Sequence, residues 1–487
     1  MNKQSLSEKT IKGGIWVFSL RVIDRIFQLI RTIILARILS PTDFGLFAIA
    51  LLVLSILESI SQSGFEEALI QKKGNIRQYL NTTWTINVII GVVIAIIVFF
   101  SSDSIASFFN TQVAGNIIRV ISLAILLQSF TNVSVLYFKK QLRFYKYFQY
   151  NFLGTIADVA VAISLAYILK SAWALIFGLI AGNLVRFIMS FVIESYRPKF
   201  QIDISKAKEL FKFSKWILGS SILVFLIGHG DDIFVGKLLG VTMLGFYQMA
   251  YNISNLPATE ITQSIVNVAF PAYSKIQDDI LRLKKAYLKT LKFIAFLTIP
   301  LTCGIIALAP EFVSYILGDK WAPIIPAIQV LAIFGLIRAL GGLNGSFLQA
   351  VGRPDILTKL QIIKLLIIIL TIHPLALWKG IVGVSISVLI SSLSITPICF
   401  YIIMSKSLKE RSIILLKQTF IYIMSGILMM GTLLVINLNE LGIFEFIIKI
   451  VIGVFLYCVL IFVFDRIFKE RSLAIFKEIL RLVKKRN

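Results

Sequence analysis

Apolar residues along this chain fall in blocks of about 20, the length that carries a helix across roughly 30 Å of hydrocarbon, and short polar or basic stretches separate them. Fourteen blocks can be marked, near 13–39, 43–70, 81–101, 114–138, 146–169, 171–194, 212–239, 241–269, 286–309, 325–351, 357–377, 379–403, 413–436 and 443–465. The pattern predicts an all-α integral membrane protein with about 14 transmembrane helices. The first block departs from uniform apolarity, because it carries Arg21, Asp24, Arg25, Gln28, Arg31 and Thr32. Steps of three and four put these residues on one helical face. Each central Arg or Asp facing lipid costs roughly 3 kcal/mol, so the stripe is expected to face a watery interior.

Composition agrees with this pattern. The 487 residues are 57% hydrophobic and 15% charged, with a mean hydropathy of +0.87. The formal charge of +24 does not point to nucleic acid, because its distribution is topological. Basic residues gather in alternate loops, at Lys72–Lys73, Lys139–Lys140, 197–215, 275–289 and 406–417, whereas 102–113 and 437–442 contain none. The positive-inside rule then places both termini in the cytoplasm of a multi-pass protein in the plasma (inner) membrane. The first block is too long and too charged for a cleaved signal peptide and reads as an uncleaved anchor. Cys303, Cys399 and Cys458 lie within predicted spans and lack metal-ligand spacing, and His229 and His373 stand apart, so no metal site or disulfide is expected.

Part of the chain occurs twice. At a constant offset of 200, LARILSPTDFGLF (35–47) aligns with VGKLLGVTMLGFY (235–247); Leu39, Thr42 and Gly45 recur as Leu239, Thr242 and Gly245, and Trp16 matches Trp216. The second copy begins after six predicted spans, an even number, so the two halves enter the membrane in the same direction as parallel repeats. The expected organisation is an N-terminal six-helix lobe at 1–200, a C-terminal six-helix lobe at 201–405, two additional helices at 406–465 and a basic amphipathic cytoplasmic tail at 466–487, with a cavity between the lobes. Either Thr42 or Asp43 is expected to cap the second helix.

Ionisable residues at membrane depth are the candidate functional groups. Arg21, Arg25, Arg31, Arg338 and Lys364 are candidate substrate ligands, since the guanidinium fork suits phosphate oxygens. A plainer alternative is that Asp24 simply neutralises Arg21 or Arg25 within its own helix. Arg119, Lys292 and Lys449 sit near helix ends, where snorkelling is the simpler expectation. Asp24, Glu58, Asp158, Asp231, Asp232 and Glu260 are candidates for gating or for coupling to Na+ or H+, or are simply partners of arginines. Gly228–His229–Gly230 and Pro257 mark two expected helix bends.

Several stretches also carry a family resemblance: Lys12–Trp16, Asp24–Arg25 with Gln28, LARILSPTDFGLFA at 35–48, Gly64–Phe65 leading into Ala68–Gln71, GFYQMAYNISNLP at 245–257, Val268–Pro271 with Tyr273–Ser274, and FLQAVGRPD at 347–355. Together they resemble the Wzx-type polysaccharide flippases, in the colanic and teichuronic acid exporter branch of the MATE-like (MOP) exporter superfamily. The resemblance implies two six-helix lobes and alternating access. It also implies an undecaprenyl-pyrophosphate-linked glycan as substrate, membrane lipids and polysaccharide polymerase machinery as partners, no nucleic acid, no cofactor, and an ion gradient or membrane potential as the driving force. Glu66–Glu67 stand where the family pattern has small or apolar residues, against a simply cationic lumen.

Two other readings compete. A multidrug or organic-cation antiporter of the same superfamily would favour an acid-rich cavity. A membrane glycan polymerase would need a large outer loop, and the predicted outer loops are short. No phosphate-cradling GxxxxGK[ST], HExxH or GxSxG is present, so a transporter is expected and not an enzyme.

Overall fold

The structure is a computed structural model that describes residues 23–61, 77–136, 138, 144–436 and 442–468. Among these residues the secondary structure is helical throughout, and eight helices are long and apolar enough to cross a membrane. Two compact units divide the chain, Met1–Phe246 and Tyr247–Asn487.

In the first unit, α1 (23–38) is followed by α2 (Pro41–Ser61), α3 (Arg77–Phe108), α4 (Val113–Ser129), α5 (Phe144–Leu169), α6 (Trp173–Ile193) and α7 (Ile204–Leu238). The sequence-predicted fourth span is shorter than expected. After Ser129 the chain makes a 3-10 turn, Val133–Val135, because Asn132 accepts from both Ser134 N and Ser134 Oγ and draws the backbone out of the helix. Leu35 and Leu39 pack against Ala162, Ala166, Ala174 and Leu175, tying α1 to the α5–α6 hairpin. Asp203 caps α7 by accepting from Lys206 N at 3.2 Å, and the Lys206 ammonium beside it holds its carboxyl below the usual carboxylate range.

The start of α2 differs from expectation. The helix begins at Pro41, so the cap is Ser40, whose Oγ accepts from Asp43 N at 3.2 Å while Asp43 Oδ2 accepts from Ser40 N at 2.9 Å. This is a reciprocal capping box with proline at its favoured first position. Asp43 also reaches across to accept from Ala172 N at 2.8 Å, fixing the α5–α6 turn.

The two copies of the repeated segment touch each other. Thr42 Oγ1 lies 2.8 Å from Thr242 Oγ1. A Cβ at Gly45 would lie 1.9 Å from the Val241 carbonyl oxygen, and one at Gly245 would lie 2.0 Å from that of Pro41. The contact is thus reciprocal under the 200-residue offset, as in an isologous interface. Only glycine allows the two backbones this close.

The helix α8 (Val241–Ser254) passes into the second unit. It continues through a π-helical turn, Pro257–Thr262, into α9 (Gln263–Lys275). Pro257 has no N–H for the helical ladder, and the backbone accommodates it with a wider turn. One expected bend is therefore present, whereas α7 runs without interruption through Gly228–Gly230. The unit continues with α10 (Ile280–Glu311), α11 (Ile325–Ala350), α12 (Pro354–Ile402), α13 (Ile413–Val435) and α14 (Ile443–Phe468). Two predicted spans share α12, which reverses at Lys379–Gly380. Gly380 takes φ +55°, ψ −132° there, a conformation L side chains resist. Thr371 and Ser387, 2.7 Å apart, tie the resulting hairpin together.

Tyr273, Tyr287 and Phe347 centre one core of this unit. A second core joins α10 to α13 and α14 through Ile299, Tyr422, Met429 and Tyr457, and Tyr457 donates to the Phe296 carbonyl at 3.0 Å.

Candidate functional site

The basic residues singled out in the sequence lie in two different settings. In the first unit, Arg31 of α1 donates to Asp158 of α5 at 2.9 Å, and the two side chains are only 13% and 22% exposed. Arg186 of α6 acts on the same carboxylate electrostatically. Glycines create the space for these charges. A Cβ at Gly154 would lie 2.5 Å from Arg186 Cγ, and one at Gly178 would lie 2.7 Å from Asp158 Oδ1. The α5–α6 seam therefore holds one acid between two arginines, a local excess of one positive charge. Phe47 covers the Arg31 guanidinium at 5.7 Å, a cation–π contact.

Further along α1, Gln28 donates to Asp24 at 2.9 Å and Arg25 donates to Gln28 at 3.4 Å. Gln28 thus stands between the acid and Arg25. The polar stripe is half-buried at Asp24, Arg25, Arg31 and Thr32, while Ile23, Ile26, Phe27 and Ile30 are exposed. Arg21 and the Glu66–Glu67 pair lie outside the described residues, as do the Glu58 side chain and 469–487 of the tail.

In the second unit, Arg338 sits at the middle of α11. Its Nη1 donates to Tyr251 Oη at 2.7 Å and, at 3.4 Å, to Asn255 Oδ1. The guanidinium also lies 6.0 Å from the Tyr251 ring centre. Lys364 of α12 places its Nζ 5.3 Å over Phe334, and Tyr251 and Phe334 are themselves 6.1 Å apart. Two predicted ligands, Arg338 and Lys364, thereby converge on one aromatic pair. Gly335 brings α11 and α8 together for this, since a Cβ there would lie 2.5 Å from the Ser254 carbonyl oxygen. Glu260 lies in the π-helical turn just beyond Asn255. Arg338 meets no acidic side chain among the described residues, only neutral hydroxyl and amide partners.

The remaining candidates separate from these clusters. Asp231 and Asp232 are buried on α7, and Asp232 Oδ2 lies 3.2 Å from His229 Nδ1. Arg119, expected to snorkel, pairs with the exposed Asp103 across α3 and α4. Lys449, expected to do the same, is 4% exposed and bound to two carboxylates. Sequence periodicity could not reveal Arg186 as part of the first cluster, because its partner lies one helix away; the Gly154 and Gly178–Gly182 spacing was the available sign.

An all-α bundle of apolar helices with basic groups held at depth defines a multi-span membrane protein, and solved structures share its fold. Similarity to "Lipid II flippase MurJ, inward closed conformation" extends over 94% of this chain and 100% of that one, at a TM-score of 0.78 and 17% sequence identity. An inward-facing multidrug resistance MATE family transporter of the MOP superfamily matches at a TM-score of 0.58 and 14% identity, over 84% of this chain and 95% of that chain.

Residues 34–326 match the family described as polysaccharide biosynthesis protein, and the chain belongs to that family. It is 29% identical over 404 residues to lipopolysaccharide biosynthesis protein WzxC of Escherichia coli (strain K12), covering 82% of each. It is 23% identical over 354 residues to teichuronic acid biosynthesis protein TuaB of Bacillus subtilis (strain 168), covering 72% of this chain and 73% of that protein.

Proposed function

We propose that this protein is a flippase that moves undecaprenyl-pyrophosphate-linked oligosaccharide repeat units from the cytoplasmic to the outer leaflet of the plasma membrane by alternating access. Both termini lie in the cytoplasm in this reading, and an ion gradient or the membrane potential drives transfer, with Na+ or H+ as the coupling ion. The observation that carries it at residue level is Arg338, a mid-helix guanidinium whose partners among the described residues are all neutral. A positive charge at membrane depth without a counter-ion is costly, and a diphosphate supplies the missing negative charge through two-pronged hydrogen bonds. Lys364 and the faces of Tyr251 and Phe334 suit an acidic headgroup carrying sugar rings. The family membership supports the same class of cargo, and a distant relative is named as a probable low-salt glycan biosynthesis flippase of Haloferax volcanii. Under this reading the lobes are 1–200 and 201–405, and polysaccharide polymerase machinery takes over the product.

The test is transfer of a fluorescent undecaprenyl-pyrophosphate oligosaccharide across proteoliposomes, with and without an imposed Na+ or H+ gradient or potential. Gradient-sensitive transfer by the wild type that is lost in Arg338→Ala supports the reading. Absence of transfer by folded protein, together with extrusion of organic cations, would replace it with the drug-antiporter alternative.

A further inference from the structure

A surface apart from both basic clusters lies between α6 and α7, where residues 194–203 form a strap against the first turns of α3. Its ends, Glu194 and Asp203, have extended backbone. The amides of Lys199, Gln201 and Asp203, every second residue, donate to the side chains of Asn81, Thr85 and Thr82 at 3.0–3.1 Å. That spacing is the two-residue period of an extended chain. Tyr196 is pinned as well: its hydroxyl donates to Asn81 at 2.5 Å and its carbonyl accepts from Asn132 Nδ2 at 2.7 Å. The strap is therefore held in one conformation by partly buried polar groups.

This fixed backbone presents large apolar side chains to the outside. Phe200, Ile202 and Ile204, again every second residue, are 68%, 49% and 68% exposed. Phe200 keeps one side against Trp84, with ring centres 4.7 Å apart. Basic side chains border the apolar row: Arg197 and Lys199 are exposed on the strap, and Lys208 is exposed one helical turn after Ile204. Arg197 is oriented by donating to the Glu194 carbonyl at 2.6 Å. Among the described residues none of these three cations forms an ion pair. The strap also lies at a definite depth. Thr85 is four residues, about 6 Å along the helix, before Ile89, where the exposed apolar row of α3 begins and continues through Val93 and Ile96. Val192, exposed at the end of α6, directly precedes the strap.

We propose that the strap is a docking surface for anionic phospholipid, with Phe200, Ile202 and Ile204 at the boundary of headgroups and acyl chains and Arg197, Lys199 and Lys208 on the headgroup phosphates. A rigid apolar row rimmed by cations at the edge of a lipid-facing belt has the two components of interfacial binding, buried apolar area and attraction to anionic lipid. Charge argues against the chain's own C-terminal stretch as the occupant, since residues 469–487 carry seven Lys and Arg against two Glu. On the topology proposed above this is the cytoplasmic leaflet, and the docking itself is independent of what the protein transports.

The test uses full-length protein with Ile202→Cys in a Cys458→Ser background, labelled with a small fluorophore and reconstituted in vesicles of phosphatidylcholine and phosphatidylglycerol, with one or the other lipid brominated on its acyl chains. Brominated phosphatidylglycerol should quench the label about twofold to fivefold more per molecule than brominated phosphatidylcholine, because a basic residue near the surface enriches anionic lipid by about that factor. A label at Ile97→Cys, on the lipid-facing row of α3, should be quenched equally by both. Changing Arg197, Lys199 and Lys208 together to Gln should bring the ratio at position 202 close to one, and high salt should do the same without further substitution. Ser205→Cys gives a second label position should Ile202→Cys fail to fold. Equal quenching by both lipids at 202 and 205, or none by either, overturns the proposal. Quenching that emerges only after residues 469–487 are removed would assign the surface to that stretch and overturn it too.

Discussion

Arg31 and Arg338 are both arginines placed within apolar helices, yet their surroundings assign them different work. Arg31 is held by the Asp158 carboxylate at 2.9 Å, in a seam that Gly154, Gly178 and Gly182 keep open. Arg338 is oriented by a phenol and an amide and shares its aromatic platform with Lys364. A guanidinium already bound to a carboxylate has spent much of its attraction on the fold, while one aimed by neutral groups keeps its charge for an incoming anion. Mid-helix position alone does not separate the two roles. The partner does.

The strongest test of that contrast removes the acid-free arginine. Arg338→Ala should reduce transfer in proteoliposomes by roughly tenfold to a hundredfold, the loss of one or two charge-assisted hydrogen bonds of about 1.5–3 kcal/mol. Its unfolding temperature should stay close to wild type, since no ion pair is broken. Arg338→Lys should recover only part of the activity, because an ammonium lacks the fork. A large loss of stability in Arg338→Ala would place Arg338 with Arg31 and dissolve the contrast.

Asp158→Asn probes the other side and should act in the opposite sense. It leaves Arg31 and Arg186 close together without their carboxylate, which should destabilise the protein by about 1–3 kcal/mol, less than a fully buried pair in a soluble core. Thermal unfolding in detergent measures this directly. Transfer per folded molecule should change much less. Unchanged stability with abolished transfer would make Asp158 a functional acid and not a tether for arginines.

Much of this architecture is readable from the chain, for identifiable reasons. Spans are legible because lipid demands long apolar helices with internally satisfied backbones. The repeat is legible because Thr42, Gly45, Thr242 and Gly245 meet in a reciprocal contact that tolerates no side chain beyond Cα at the glycines. Charged partnerships are less legible, since they form between helices far apart in sequence. Arg31 finds Asp158 at a separation of 127 residues and Lys449 finds Glu311 at 138, and neither distance leaves a periodic trace. Lys449 shows the consequence: near a helix end it reads as a snorkelling residue, yet it is buried between two acids. Ser40 does not stand out as a cap for a smaller reason, a helix start at Pro41, two residues earlier than the apolar run suggests.

Tyr251→Phe asks how far Arg338 depends on being aimed. The ring and its contacts with Arg338 and Phe334 remain, and only the hydroxyl that accepts at 2.7 Å is lost. A cost of about 1 kcal/mol corresponds to roughly fivefold weaker transfer. That loss should appear in the concentration dependence on lipid-linked substrate more than in the maximal rate. A fall in maximal rate alone would assign the hydroxyl to a step after binding and leave Arg338 aimed by Asn255.

Lys364→Gln should have the smallest effect of the four and refines the picture of the platform. Its ammonium lies 5.3 Å over Phe334, the ring that neighbours Tyr251. A cation–π contact of this kind contributes roughly 0.5–1 kcal/mol, and the ammonium adds a second positive charge near a bound headgroup. Lys364→Gln should therefore weaken transfer only a few fold, and Lys364→Arg should restore it, because a guanidinium stacks on an aromatic face at least as well. Raising ionic strength should narrow the gap between wild type and Lys364→Gln, as expected for a screened point charge, while leaving the Arg338→Ala defect intact, since paired hydrogen bonds lost at short range are poorly mimicked by salt. Equal salt sensitivity of the two variants would mean that Arg338 also acts only as a diffuse charge, and the distinction between an aimed guanidinium and a nearby ammonium would fail.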